Sequence, residues 1–128
     1  MGYGLTTDTG HITQPSVDGQ AAAMRAALHS AAIDASAVDA INAHGTGTRA
    51  NDGVETAAIK AVFGERAPPI PLSATKALHG HLLGATAALA VVLALLALHD
   101  RVARPARPLQ EPPPEGGRDD QRRGRGVG

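Results

Sequence analysis

The 128-residue chain has no cysteine, no tryptophan, one tyrosine and one phenylalanine. The lack of cysteine excludes a disulfide framework, a thiolate-ligated zinc site and a thiol nucleophile supplied by this chain. The scarcity of aromatics removes the large side chains that anchor cores and stack nucleobases. Branched apolar material is thin as well: Leu, Ile, Val and Phe together fill 26 positions, and alanine alone fills another 26. That share lies at the edge of what an independent core shows, and the length admits at most one small domain. The start, MGYGLTTDTGHITQ, has neither a basic segment nor an apolar one, so no secretory signal is expected and the cytoplasm is the default location.

Twelve basic and twelve acidic residues cancel, but unevenly. Residues 1–100 hold five basic and eight acidic side chains, whereas residues 101–128 hold seven and four. The second stretch also packs five Pro and five Gly into 28 residues and lacks any apolar period. The expected organisation is therefore a folded part, 1–100, followed by a disordered Pro/Arg/Gly-rich tail, 101–128. Acids dilute the tail's arginines and no aromatic accompanies them, which argues against a nucleic-acid partner.

Within the first hundred residues, apolar spacing predicts a helix over 20–32 with Asp18 as its N-cap. A short apolar run, 40–43, reads as a buried strand ending at His44, and Gly45-Thr46-Gly47-Thr48 reads as a loop. Asn51 and Asp52 are cap-type residues, and Glu55 follows Asp52 by three as a capping-box partner would. A second helix is thus expected from there to Phe63, with Gly64 as its stop. Residues 70–73 form a second candidate strand, and 75–80 a polar turn. The stretch 82–98 has 17 residues without a charge, bracketed by His81 and His99. It fits a helix buried in a soluble core; a membrane span is the alternative, but no basic cluster precedes it and no Trp or Tyr flanks it. A helix apolar all round needs more cover than two short strands and two helices provide, so the chain reads as incomplete.

Polar features cluster at the ends of these elements, where open α/β sheets place their sites. Each is ambiguous alone. His44 fits a loop hydrogen bond as well as catalysis, and Asp52 fits a helix cap. His79 and His81 have a metal-binding spacing, but no nearby carboxylate or Cys completes a shell. Gly45-Thr46-Gly47-Thr48 is no phosphate loop, since no Gly-Lys-Ser/Thr ends it.

Together they form a pattern. Asn42-Ala43-His44-Gly45-Thr46-Gly47-Thr48, then Asp52-x-x-Glu55, then Ser73-x-Thr75-Lys76, then Gly80-His81-Leu82-Leu83-Gly84-Ala85 resembles the C-terminal half of the β-ketoacyl-acyl-carrier-protein synthases, in order and spacing. The opening Gly2-Tyr3-Gly4 with Asp8, His11, Thr13 and Pro15 also looks like that family, as does the later Leu109-x-Glu111-Pro112-x-Pro114-Glu115. The likeness covers roughly residues 2–115, weakly over 101–115, and is to the elongating, dissociated type II enzymes of fatty acid and polyketide synthesis.

The resemblance implies an α/β fold, the C-terminal half of a thiolase-like αβαβα layered sandwich, in enzymes that form homodimers. It implies decarboxylative Claisen condensation of a malonyl thioester on acyl carrier protein with an acyl thioester, without cofactor, metal or membrane. By motif position the catalytic histidines are His44 and His81, Lys76 is the lysine of the Ser-x-Thr-Lys motif, and Glu55 is its supporting acid. Gly45, Thr46, Gly47, Thr48 and Asp52 shape the histidine loop. His79 falls where a small or polar residue is usual and receives no role; Asn51 stands where the family has Gly. Neutral imidazole N–H groups aimed at the thioester oxygen suit the enolate left by loss of CO2. The nucleophilic Cys belongs to the family's N-terminal half, so this chain is expected to be an inactive remnant alone, its tail the product of a changed reading frame. A non-catalytic partner of a full synthase or carrier protein is the alternative.

Overall fold

The computed structural model describes residues 1–8, 10, 14–64 and 70–102. Helix α1 spans Val17–Ala31 and starts at Ser16, whose hydroxyl accepts from the Gly19 amide at 2.9 Å. The helix thus begins three residues before the predicted start, and Asp18 is not the cap. Ser16 wins because its own amide donates to the Asp8 carboxylate at 3.1 Å, which ties the entering chain to the helix start. Asp18 lies in the first turn, where a carboxylate complements the helix dipole.

The opening segment lies along α1. A side chain at Gly2 would strike the backbone of Ala27 and Ala31, and one at Gly4 would strike the Ala23 carbonyl. Ala23, Ala27 and Ala31 recur every four residues and so form one small-residue stripe. Glycine against alanine lets backbone approach backbone.

After a 3-10 turn at Ala35–Ala37 the chain enters β1, Ile41–Asn42. Helix α2, Arg49–Phe63, then crosses back to β2, Leu72–Ser73, which pairs parallel with β1 in the register Ile41 to Leu72 and Asn42 to Ser73. The Ile41 amide donates to the Pro71 carbonyl at 2.9 Å and the Ala43 amide to the Ser73 carbonyl at 2.8 Å. The two strands appear where expected, but each is only two residues long.

The capping prediction for α2 is corrected. Thr48 is the N-cap, its hydroxyl accepting from the Asn51 amide at 3.2 Å, and the helix starts at Arg49. Asn51 and Asp52 therefore fall inside the first turn, both buried. The expected stop holds: Gly64 ends the helix at a φ of 57°. Arg25 of α1 donates to the Ala61 carbonyl of α2 at 2.9 Å.

A single turn, α3 (Lys76–His79), and a 3-10 turn, Leu83–Ala85, lead to α4, Thr86–Asp100. The apolar helix therefore begins at Thr86, four residues beyond the start of the uncharged stretch at Leu82. Asn42 of β1 donates its side-chain amide to the Ala90 carbonyl at 3.3 Å and so attaches α4 to the strand. The rest of the helix finds little cover here: Val91, Val92, Leu95, Leu96 and Leu98 are all exposed. Residues Leu83–Asp100 are long and apolar enough to cross a membrane by length and composition, with none of that stretch buried. The tail predicted over 101–128 lies almost wholly outside the described residues.

Candidate active site

Two loops at the C-terminal ends of the parallel strands carry the polar residues singled out above, and the fold brings them together. Gly45 has a φ of 47°, and a side chain there would strike the Ala74 methyl. Only glycine meets both conditions, so the first loop can lie against the residue preceding Thr75 and Lys76. The consequence appears in the rings: His44 and His81, 37 residues apart in the chain, stand edge to face with centroids 5.3 Å apart and planes at 79°.

The first loop is fastened by Glu55. Its carboxylate accepts from the His44 amide at 2.6 Å, from the Gly45 amide at 2.9 Å and from the Asn51 side-chain amide at 3.0 Å. Glu55 thus caps no helix; its carboxylate instead satisfies two consecutive loop N–H groups, which fixes the peptide bearing His44. Charge-assisted bonds of this kind are about twice as strong as neutral ones. Asn51 in turn sits 3.3 Å from Asp52, and the Asp52 carbonyl accepts from the Thr56 hydroxyl at 2.7 Å. The Thr46 and Thr48 hydroxyls pair at 3.0 Å, closing the loop onto the helix cap.

The surroundings of His44 favour its neutral form. Burial against its neighbours lowers its pKa below 6.5, and the Lys76 ammonium lowers it further. The Glu55 carboxylate pulls the other way, ahead of smaller contributions from His81, which lowers it, and Asp52, which raises it. Lys76 therefore acts on His44 as a nearby positive charge.

In the second loop, the ring Nδ1 of His81 accepts from the Leu83 amide at 3.0 Å and lies 3.2 Å from the Thr86 hydroxyl. A nitrogen that accepts from a backbone N–H carries no proton, so the neutral ring holds its proton on Nε2. Leu83 itself has a φ of 48°, a left-handed conformation that a leucine reaches only at a cost in energy. His79 is engaged differently: its Nδ1 lies 2.8 Å from the Gly80 carbonyl and its Nε2 3.1 Å from the Thr75 hydroxyl. Among the described residues no group of three His, Cys, Asp or Glu gathers at metal-binding distances.

Sequence reasoning thus selected the histidine pair and the charges around it. It missed the helix cap at Thr48 and the bonds of Glu55 to the loop backbone. A cap-type residue followed three residues on by a polar one occurs twice here, at Thr48 with Asn51 and one helical turn later at Asp52 with Glu55, and the threonine was the signal passed over.

The arrangement is that of a known family. The model of the β-ketoacyl synthase C-terminal domain matches residues 1–110. Nodulation protein E of Rhizobium meliloti is 46% identical over 114 residues, covering 89% of this chain and 28% of that protein. A 3-oxoacyl-[acyl-carrier-protein] synthase 2 of Rhizobium meliloti strain 1021 is 44% identical, covering 88% and 27%. Among solved structures, a ketosynthase in complex with its type II polyketide acyl carrier protein superposes with a TM-score of 0.83 at 35% identity, over 89% of this chain and 28% of that one. The chain spans about 28% of the length of the curated relatives it matches.

Proposed function

Because the chain belongs to the β-ketoacyl synthase family, through its C-terminal domain, we propose that His44 and His81 are the enolate-stabilising pair of a decarboxylative condensation on carrier-protein thioesters. The observation that carries this reading is the edge-to-face pair itself, two imidazoles from separate loops with centroids 5.3 Å apart.

Chemistry assigns the steps. The bond between the malonyl α-carbon and its carboxylate breaks, CO2 departs, and the electron pair moves through the thioester carbonyl onto oxygen. The His81 Nε2–H and a neutral His44 N–H donate to that oxygen as its charge develops, the stage at which fixed donors lower a barrier most. A neutral donor suits this role better than an imidazolium, which would trap the enolate by protonating it; partial burial first, and then the Lys76 charge, lower the His44 pKa and so favour its neutral form. The enolate carbon then attacks an acyl thioester carbonyl and expels its thiolate. This chain has no cysteine, so a thiolate that holds the acyl group must come from other sequence, and the chain by itself completes no acyl transfer. The thiolase-like layered sandwich is the architecture into which the described helices and parallel strands fit. Acyl carrier protein is the expected donor of substrate, supported by the complex that the neighbouring ketosynthase forms with its own carrier protein.

The test uses the chain co-expressed with a cysteine-bearing ketosynthase polypeptide, with malonyl-carrier protein as substrate and CO2 release as readout. His44→Ala and His81→Ala should each lower release by about 10²–10³-fold, as loss of one oxyanion donor does. Release that is unchanged in both variants would overturn the reading.

A further inference from the structure

The two histidine loops pose the same mechanical problem, and only the first has a visible solution in Glu55. In the second, the chain passes from β2 through the single turn α3 to His81, with no carboxylate on its backbone in the contacts above. One helical turn is too short to be held by its own hydrogen bonds. Its ends are nevertheless joined. The Leu78 amide reaches the Thr75 carbonyl at 2.9 Å and the Gly80 amide reaches the Lys76 carbonyl at 2.7 Å. Across them lies the His79 ring, with Nε2 on the Thr75 hydroxyl before the turn and Nδ1 on the Gly80 carbonyl after it.

Proton positions follow from the partners. A carbonyl only accepts, so Nδ1 of His79 donates, the neutral ring leaves Nε2 as an acceptor, and the Thr75 hydroxyl donates to it. Thr75 is 5% exposed and therefore a rigid post. His79 and His81, two residues apart, then hold opposite tautomers: the proton is on Nδ1 in His79 and on Nε2 in His81.

We propose that His79 is the positioning residue of the second loop, a brace from Thr75 to Gly80 that sets the direction in which the chain presents His81. The brace touches no substrate in this scheme and acts through His81. It rests on the ketosynthase reading only for what His81 does, since its geometry stands without any substrate.

The experiment is long-range ¹H–¹⁵N correlation of the histidine rings in the full chain, which reports tautomers directly and needs no thioester. The wild-type chain should show His79 with its proton on Nδ1 and His81 with its proton on Nε2. His79→Phe keeps a ring but no polar atoms, and should shift the His81 signals or average its tautomers while helix content by circular dichroism stays the same. His79→Asn keeps one donor and one acceptor and should restore the wild-type His81 pattern. A His79 proton on Nε2, averaged tautomers in the wild type, an unmoved His81 in His79→Phe, or a His79→Asn that behaves like His79→Phe would each overturn the proposal. Because the readout involves no catalysis, the brace can fail while the condensation reading stands, and the reverse.

Discussion

At His44 the surroundings pull in opposite directions, which makes the residue easy to interrogate. Its folded pKa lies below 6.5, so between that folded value and 6.5 the unfolded chain binds more protons than the folded one. The stability that depends on neutral His44 is therefore fully present above pH 6.5 and is lost as the pH falls through the folded pKa. Lys76→Gln removes a charge that lowers the value, so the His44 titration midpoint followed by NMR should rise. A midpoint that falls or stays would mean that the ammonium is not felt there. Glu55→Gln tests the clamp: an amide offers one acceptor oxygen where the carboxylate offers two, and turns a donor toward a backbone N–H. Protection of the His44 and Gly45 amides from hydrogen exchange should drop by the equivalent of about 1–3 kcal/mol, the usual cost of leaving such a group unpaired. Unchanged exchange would remove Glu55 from its role in the loop.

At the scale of elements, glycines in different settings should respond with opposite signs. Gly53 lies in the interior of α2 with nothing near the position of an added methyl. Gly53→Ala should therefore stabilise that helix by about 0.5–1 kcal/mol, seen as slower amide exchange along it. Gly4→Ala would drive a methyl into the Ala23 carbonyl, and should lift the opening segment off α1 and expose it to limited proteolysis. Helix α2 also shows how far the sequence could be read. Its existence, its stop at Gly64 and the strands on either side were legible from period and punctuation. Its start was not, because Thr48, Asn51 and Asp52 are all cap-type residues and only the side-chain bond decides among them. The distance between His44 and His81 was legible solely through resemblance to a family, since no local pattern encodes a contact across 37 residues.

For the molecule as a whole, the balance of burial is unusual. The buried apolar residues among those described are Ala21, Ala43, Ala58, Ile59 and Ile70, three of them alanines, while α4 leaves five branched side chains in the open. The composition had announced this shortage, and the long uncharged run had located it. Such a surface favours association. Replacing Val91 and Leu95 by Gln should reduce self-association by light scattering without disturbing the His44–His81 ring pair. If the variant associates as the parent does, the helix face is not the adhesive surface. The site and the exposed face are thus separable: the histidine loops gather at the strand ends, and the apolar residues lie along the helix that follows.

Leu83 gives that separation a further meaning. It donates the amide that fixes His81 and also turns the backbone at a left-handed φ of 48°, so the loop carries its conformational debt at the same residue that helps to aim the ring. Glycine there would relax the backbone and also release it to wander. Steadiness of aim and ease of folding are in competition at this residue, and the leucine records which of the two the sequence favours.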